Sequence, residues 1–437
     1  MYREVSKLIL YRDMGQDSVL SSLCALFEAF DKKEKDENEI ISGIYGQIKR
    51  ILDISTDYGF DKNLWHNYLT FEILTDENSF SLTCEGVGAH EDGSVNEFAK
   101  NDFRIFKNLF DFDFSKIENA LKINCFSTIT HYHAVSKTQK LYNRDVSEAV
   151  RQVSEKIENA KDENEIFDIV CDFYKRRGVG LFGINRAFRI SGSGKTLELV
   201  PINNADSVRF SDLVGYEKQK EELRLNTESF CRGGRANNVL LYGDSGTGKS
   251  TSVKALLNEY FDMGLRMIEI YKYQFKDLSN VIAKVKKRNH KFIIFIDDLS
   301  FEEDEVEYKF LKAVIEGGVE SRPDNVLIYA TSNRRHLIKE TWSDRNDMEF
   351  DNEIHRSDTV EEKLSLSGRF GITINYSIPK REEFFEIVST LAEREGIKTE
   401  KEKLFAEAAR WELRHGGISG RCARQFVDYI KSREKNL

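Results

Sequence analysis

One short segment, residues 243–250, constrains the fold of this chain more than any other feature of its sequence. It reads GDSGTGKS and matches the phosphate-binding pattern G-x-x-x-x-G-K-[ST] at every fixed position. The apolar run NVLLY precedes it, and STSVKALLNEYF, with the apolar spacing of a helix, overlaps its end and continues beyond it. A strand, a glycine-rich turn and a helix in register predict a phosphate-binding loop, because a chance turn would not carry both flanking elements.

The residue types in this loop explain how it would bind phosphate. Its glycines let backbone N–H groups turn toward phosphate oxygens, and the following helix adds the positive end of its dipole. Lys249 is expected to reach the β- and γ-phosphates of a nucleotide, and Ser250 to ligate Mg²⁺. The predicted nucleotide-binding residues of this segment are Gly243, Asp244, Ser245, Gly246, Thr247, Gly248, Lys249, Ser250 and Thr251.

A second stretch, residues 191–196, reads SGSGKT and also contains Gly-Lys-Thr. It lacks the first glycine of the phosphate-binding pattern, because Arg189 stands at that position. The strand-like runs AFRI and LELVPI flank it, and no helical pattern follows directly. We therefore predict a hairpin turn here rather than a second nucleotide site.

The apolar run FIIFI ends in two carboxylates, Asp297 and Asp298. The carboxyl ends of parallel strands meet at one edge of a sheet, so this pair is expected beside the phosphate-binding loop. Asp297 is the expected Mg²⁺ ligand, acting through water, and Asp298 is expected to orient or activate the attacking water. Glu302, Glu303 and Asp304 follow closely and remain alternatives for the second role.

A third apolar run, VLIYATS, ends at Asn333. An amide at this position could hydrogen-bond the attacking water and the γ-phosphate, which would make Asn333 a sensor of the nucleotide. Thr331 and Ser332 are rival candidates for this role.

Composition places these motifs in a folded chain of several domains. The chain has 437 residues, of which 40% are hydrophobic and 32% charged, which excludes disorder throughout and predicts two or three domains. No apolar run is long enough to span a membrane, and the charged N-terminus has no cleavage site, so we expect a cytoplasmic protein. The six cysteines stand singly and read as reduced thiols, and the net charge of −9 disfavours non-specific nucleic-acid binding by the whole surface.

Pattern changes along the chain predict four regions. Residues 1–190 read as a mostly helical α+β domain of unknown role, with a strand pair over 69–86. The turn-rich residues 191–210 read as a linker. Residues 211–378, where short β-branched runs alternate with helices, predict an α/β subdomain with a parallel sheet and helices on both faces. Residues 379–437 predict a helical subdomain.

Together these motifs resemble those of the AAA+ P-loop ATPases, over residues 205–437. The segment SDLVGYEKQKEELRLNTESF resembles the adenine-contacting entry of that family, which would give Val214 and Gly215 this role. Residues 243–250, Asp297 with Asp298, and Asn333 correspond to its Walker A, Walker B and sensor 1 motifs. The stretch SGRF implies that Arg369 is the arginine finger, and SGRCARQF implies that Arg421, with Arg424 as its rival, is the lid sensor.

The order of these motifs along the chain resembles, more specifically, that of the bacterial DUF815 group, for which no substrate is known to us. The resemblance implies ATP and Mg²⁺ as ligands and a homo-oligomer, hexameric by analogy, in which Arg369 acts on the neighbour's nucleotide. The alternative is that Arg369 pairs locally with a carboxylate. Walker B usually reads Asp-Glu in the family, and the shorter Asp298 implies slow turnover, although helicase-loader and initiator relatives also carry two aspartates.

The sequence leaves two functions open, and neither of them involves a membrane. One is an ATPase that remodels a protein or a protein–nucleic-acid complex, and the other is a nucleotide-gated scaffold or loader with slow or partner-dependent hydrolysis. Tyr271, Tyr273 and Phe275 could grip polypeptide, but without a following glycine they read better as aromatic residues of the core. The acidic residues 340–362 would repel DNA and are expected to form an insertion.

Overall fold

The computed structural model describes residues 1–14, 17–89, 93–134, 143–302, 305–316, 323–333, 337 and 366–435. The chain divides into two compact units, one of Met1–Arg186 with Pro201–Ala205 and the other of Ala187–Val200 with Asp206–Leu437. Across the described ranges, we find no helix with both the length and the apolar character needed to cross a membrane.

The N-terminal unit is helical over the residues that the structure describes. Its core is rich in buried aromatic side chains, among them Trp65, Phe103 and Phe126. One isolated antiparallel bridge joins Lys62 to Tyr132. Its helices are α1 (Tyr2–Val5), α2 (Val19–Asp31), α3 (Glu37–Tyr58), α4 (Leu64–Thr75), α5 (Ser79–Val87), α6 (Ser94–Phe110), α7 (Ser115–Leu121), α8 (Cys125–Thr130), α9 (Arg144–Asn159), α10 (Glu163–Arg177) and α11 (Gly180–Ile184).

The strand pair predicted over residues 69–86 is wrong, because these residues belong to α4 and α5. Most of the α4 side chains are buried, including the polar Asn67 and Thr70, so the helix has no exposed face to give its sequence a helical period. The polar break between the two helices is an N-cap, since the Asn78 side chain accepts hydrogen bonds from the N–H groups of Phe80 and Ser81.

The second unit is built around a seven-stranded sheet in the order β2-β1-β4-β5-β6-β3-β7. The strands pair in parallel in β1–β4, β4–β5, β5–β6, β6–β3 and β3–β7. Strands β5 and β6 are buried along almost their whole length, which explains their continuous apolar sequences. The strands are β1 (Ala187–Ser191), β2 (Glu198–Pro201), β3 (Val239–Gly243), β4 (Leu265–Glu269), β5 (Lys291–Ile296), β6 (Val326–Ser332) and β7 (Ile372–Tyr376).

Part of the stretch predicted as a linker lies in this sheet. Strands β1 and β2 are neighbours at one edge, and the SGSGKT stretch connects them through a single 3-10 turn at Gly194–Thr196. The hairpin interpretation of this stretch is therefore confirmed. Asp277 fills the turn, because its carboxylate accepts hydrogen bonds from Ser193 Oγ at 2.9 Å and from Gly194 N at 2.8 Å.

Helices accompany the sheet, and three more form the C-terminal subdomain. The last three pack on one another around a core that includes Phe384, Leu404 and Phe426. The helices of this unit are α12 (Glu217–Cys231), α13 (Lys249–Tyr260), α14 (Leu278–Val285), α15 (Glu307–Glu316), α16 (Arg381–Glu395), α17 (Lys401–Glu412) and α18 (Gly420–Lys435). The fold is the predicted α/β P-loop fold with a helical C-terminal subdomain, which we call the lid.

Candidate functional site

The predicted phosphate-binding loop connects β3 to α13 at the carboxyl edge of the sheet. Gly243, Gly246 and Gly248 have φ angles of 132°, 77° and 93°, a region that side chains other than glycine rarely adopt. At Gly243 a Cβ atom would lie 2.1 Å from the backbone O of Tyr376, so only glycine fits between β3 and β7. The loop thus adopts a backbone that its three glycines make possible.

Lys249 begins α13 and turns back into the loop. Its Nζ donates to the backbone O atoms of Gly243 and Asp244, at 2.8 and 2.6 Å, and to Asn333 Oδ1 at 3.0 Å. The side chain is buried, and this desolvation holds the pKa of Lys249 below its ordinary value although the charges of Asp244, Asp298 and Asp297 oppose the shift. The ammonium group is therefore held in place by neutral oxygens and is less solvated than an ordinary lysine.

The other loop residues differ in burial and in their contacts. Ser245 is exposed at the tip of the loop, and Thr251 is half-buried in the first turn of α13. Thr247 is buried and its Oγ1 donates to the backbone O of Asp244 at 2.8 Å. Asp244 Oδ2 in turn accepts from the N–H of Ile378 at 3.1 Å, which ties the loop to the chain after β7.

Ser250 and Asp297 come together as the predicted metal ligands. Ser250 Oγ donates to Asp297 Oδ1 at 2.5 Å, and Thr331 Oγ1 donates to the same oxygen at 2.5 Å. A hydroxyl and a carboxylate are hard oxygen ligands of the kind that Mg²⁺ prefers, so this donor set fits the ion.

Asp298 has an unusual backbone, with a φ of 53° in the left-handed region. Its N–H donates to Thr331 Oγ1 at 2.9 Å, and its Oδ1 accepts from Asn333 Nδ2 at 2.8 Å. A non-glycine residue in this conformation costs about 1 kcal/mol or more, and it persists where surrounding contacts hold it. Thr331 and Asn333, both from the end of β6, supply those contacts here.

Asn333 therefore links the phosphate loop to the carboxylates. Its Oδ1 accepts from Lys249, and its Nδ2 donates to Asp298. Thr331, weighed in the sequence only as a rival sensor, contacts both aspartates instead. The sequence signal for this role of Thr331 is a hydroxyl side chain on a buried strand, two residues before Asn333. Sequence alone does not distinguish such a threonine from one that only packs in the core.

The lid reaches the loop through the start of α18. The N–H of Arg421 donates to the backbone O of Gly246 at 3.2 Å, and the Arg421 charge contributes to lowering the pKa of Lys249. Arg424 instead forms ion pairs within the lid, with Glu395 at 2.8 Å and Asp428 at 3.2 Å. Of the two rivals, the structure brings Arg421 to the loop.

A cavity of about 750 Å³ lies beside the loop, where the adenine-contacting residues were predicted. Val214 and Gly215 line it, and Gly215 has a φ of 79°. The next residue, Tyr216, also has a left-handed backbone, and its ring stacks on that of Tyr376 with the ring centres 5.1 Å apart. Leu213 connects the cavity to the loop, since its Cδ2 lies 3.0 Å from the position that a Cβ at Gly248 would take.

Two predictions concern residues away from this centre. Arg369 is 46% exposed and forms an ion pair with Glu316, Nη2 to Oε1 at 2.9 Å, which is the local pairing left open as the alternative to the finger. Of the alternatives to Asp298, the described Glu302 donates its N–H to Glu305 Oε2 at 3.0 Å. Glu303, Asp304 and residues 340–362 lie outside the described residues.

The aromatic stretch after β4 differs from its interpretation as core. Phe275 is buried as expected, but Tyr271 and Tyr273 are 40% and 71% exposed, and their rings stack with centres 5.8 Å apart. The reason is that the stretch leaves the strand and forms the 3-10 turn Lys272–Asp277, which directs these two side chains away from the core. The core interpretation is thus wrong for both tyrosines.

Comparisons with known proteins give one family match and several more distant similarities. The model of a family described as "Protein of unknown function (DUF815)" matches residues 184–434. The replication factor C large subunit of Methanococcus vannielii is 44% identical over 54 residues, which are 12% of this chain and 11% of that protein. Among solved structures, Thermotoga maritima RuvB, described as a Holliday junction branch migration motor, matches at a TM-score of 0.36 and 16% identity over 52% of this chain.

A RuvB variant from the same organism matches at a TM-score of 0.37, again with 16% identity over 52% of this chain and 66% of its own. The chain thus spans about a tenth of the replication factor subunit. It covers 65% of the branch migration motor.

Proposed function

This chain belongs to the DUF815 family, and from that premise and the geometry of its site we propose that it is an ATP-binding AAA+ ATPase that hydrolyses ATP. One observation carries the proposal. Asn333 hydrogen-bonds both the buried Lys249 and the strained Asp298, so the phosphate loop and the carboxylates form one connected site.

In this proposal the loop holds the phosphates of ATP. The N–H groups of residues 243–250 and the ammonium group of Lys249 would replace solvent around the β- and γ-phosphates. The carbonyl oxygens of Gly243 and Asp244 position the ammonium group within the loop, and a phosphate oxygen would replace one of its present hydrogen-bond acceptors. Val214 and Gly215 would contact the base in the adjoining cavity.

Ser250 and Asp297 would hold Mg²⁺, the latter through water. The ion, when bound, would neutralise phosphate charge and favour in-line attack. Asp298 would orient the attacking water and accept its proton, while Asn333 would hold the water and the γ-phosphate in register. Asp298 is one methylene shorter than glutamate, which implies slow turnover, and its backbone lies in the left-handed region.

Two further parts of the proposal concern assembly. We propose that the chain forms a homo-oligomer, hexameric by family analogy, in which Arg369 acts on the nucleotide of a neighbour and Arg421 closes the lid over its own. Hydrolysis would then drive conformational change in a protein or protein–nucleic-acid partner. The exposure of Arg369 supports this part, since a group that serves a neighbouring subunit must be accessible at the surface.

A second function, a nucleotide-gated scaffold or loader, is favoured by the local contacts of Arg369 and Asp298. Arg369 is paired with Glu316, and Asp298 is hydrogen-bonded to Asn333, so both groups are engaged in local contacts. A partner or an assembly step that separates these pairs would be needed before turnover begins.

Equilibrium ATP binding, steady-state ATP hydrolysis and molar mass by light scattering, measured on one sample with and without Mg²⁺-ATP, test the proposal. We expect turnover per subunit to rise with protein concentration as a larger species forms. Tight binding by a monomer with negligible turnover would instead support the gated scaffold. Absence of ATP binding would refute both.

A further inference from the structure

Two cysteines of the N-terminal unit lie side by side on packed helices. Cys84 is in α5 and Cys171 is in α10. The thiol of Cys84 donates a hydrogen bond to the backbone O of Cys171, with Sγ and O 3.7 Å apart. A cysteine side chain that contacts the other cysteine in this way brings the pair into the range where a disulfide between two packed helices is feasible.

The pair is accessible from the surface on one side. Cys84 is buried, whereas Cys171 is partly exposed and lines a cavity of about 750 Å³. Lys175, one helical turn after Cys171, lines the same cavity. A small reagent can therefore reach Cys171 from solvent, and the buried Cys84 contacts Cys171 directly.

The surroundings of this pair favour a thiolate. The hydrogen bond from Cys171, assisted by the charge of Lys175, holds the pKa of the Cys84 thiol below its ordinary value although burial opposes the shift. The same hydrogen bond and burial raise the pKa of Cys171. By contrast, burial raises the pKa of Cys24 to about 12, and it raises that of Cys125 as well. Because the thiolate is the reactive form of cysteine, the pair stands apart from these two buried thiols.

We propose that Cys84 and Cys171 form a peroxide-sensitive dithiol site, oxidised reversibly to an intramolecular disulfide. In the first step the thiolate sulfur attacks one oxygen of hydrogen peroxide, the O–O bond breaks, and a sulfenic acid and one water result after proton transfer. The second sulfur then attacks the sulfenic sulfur, the S–O bond breaks, and a second water leaves. Two thiols and one peroxide give one disulfide and two waters, and the thiols lose two electrons.

The disulfide would change the stability of the N-terminal unit. It would close a loop from residue 84 to residue 171 and so reduce the conformational freedom of the unfolded chain. It would also fix α5 against α10 at the wall of the cavity. Oxidation would thereby couple the surrounding peroxide concentration to the rigidity of this unit, a property outside the nucleotide site and independent of the proposed function.

Peptide mapping of the full chain tests this proposal without any variant. The reduced protein is treated with a few equivalents of hydrogen peroxide, free thiols are blocked with N-ethylmaleimide in denaturant, and the digest is analysed by mass spectrometry. We expect one linked peptide containing Cys84 and Cys171, which dithiothreitol separates, while Cys24 and Cys125 remain blocked as free thiols. The melting temperature of the oxidised protein should rise by about 5 °C.

Variants then assign the effect to the pair. Cys84→Ser and Cys171→Ser should each abolish the linked peptide and the rise in melting temperature, and the matched control Cys125→Ser should leave both unchanged. Equal oxidation of all cysteines, a disulfide through another cysteine or between chains, or direct conversion to sulfinic acid would overturn the proposal.

Discussion

At the scale of single residues, the site depends on how two neighbouring carboxylates are held. Thr331 Oγ1 donates to Asp297 and accepts from the N–H of Asp298, so one hydroxyl fixes both residues. Without it, Asp298 would lose the hydrogen bond that accompanies its left-handed backbone. We therefore regard Thr331 as a positioning residue for the proposed hydrolysis.

Replacement of Thr331 tests this role. Thr331→Val keeps the shape of the side chain but removes both hydrogen bonds, and we expect ATP turnover to fall about ten- to a hundredfold, the effect usual for the loss of an outer hydrogen bond in a metal site. Because the loop itself is untouched, ATP affinity should change much less. Turnover and equilibrium binding of a fluorescent ATP analogue, measured on the same samples across a Mg²⁺ series, separate the two effects.

The matched control is Thr331→Ser, which retains the hydroxyl and should restore most of the turnover. A merely structural role would lower the melting temperature of Thr331→Val without raising the Mg²⁺ concentration needed for half-maximal turnover. Equal turnover of the Val and Ser variants would contradict the positioning role.

Sequence reasoning located the strand-end residues of the site better than the residues that hold them in place. Asp297 and Asn333 could be located because each follows a long apolar strand, and strand ends of a parallel sheet share one edge. The role of Thr331 depends on the distance between β5 and β6 side chains at their ends, and the pairing of Arg369 depends on where α15 lies. Neither of these contacts can be inferred from the local sequence.

At the scale of elements, the chain contains two turns with the letters Gly-Lys-Ser or Gly-Lys-Thr, and they have opposite surroundings. The loop after β3 precedes a twelve-residue helix and directs Lys249 inward. The turn after β1 is followed by β2, and the carboxylate of Asp277 already occupies its Gly194 N–H. The first turn is the proposed site of an added anion, and the carboxylate of Asp277 already occupies the second.

A pair of lysine variants distinguishes these turns. Lys249→Ala should abolish measurable ATP binding, because it removes the one ammonium group held inside the loop. Lys195→Ala, at the same position of the second turn, should leave ATP affinity unchanged within about twofold, since its effect on a surface charge is small. Binding is measured by isothermal titration on both variants, with melting temperatures as a check of folding.

Loss of binding in Lys195→Ala with an unchanged melting temperature would restore the second turn as a nucleotide site. Unaltered affinity in Lys249→Ala would remove the phosphate-loop interpretation. The two variants therefore test one prediction from opposite sides.

Helices and strands could be predicted where one face is buried and the other exposed, because the apolar residues then repeat with a clear period. They were harder to predict where all side chains are buried. The sheet of the second unit followed from short apolar runs separated by helical patterns. The helix α4 was missed because nearly all of its side chains are buried, polar ones included, which erases the helical period. The tyrosines after β4 were misplaced because a 3-10 turn, with its own hydrogen bonds, replaces the end of the strand.

At the scale of the whole molecule, the proposed assembly requires Arg369 to serve a neighbouring subunit rather than its own. In the single chain it is paired with Glu316 and is nearly half exposed. An exposed ion pair of this kind contributes about 1 kcal/mol or less, so contact with a neighbour's phosphates could displace it. The pair is therefore compatible with action in trans, provided that assembly supplies a stronger partner.

Mixing two inactive variants distinguishes action in trans from action in cis. Lys249→Ala retains Arg369 but cannot bind ATP, whereas Arg369→Ala retains the loop but lacks the finger. In a randomly mixed ring with equal amounts of each, half of the subunits keep the loop, and half of those have a neighbour with Arg369. Turnover should therefore recover to about a quarter of the wild-type value per subunit.

Recovery requires assembly, so it should depend on total protein concentration and disappear on dilution below the point where light scattering detects the oligomer. The control is a mixture of Arg369→Ala with the double variant lacking both Lys249 and Arg369, which offers no finger and should stay inactive. If Arg369 acts in cis, no mixture recovers, because neither variant contains a complete site. Recovery in the first mixture alone would show that the nucleotide site is completed between two copies of this chain.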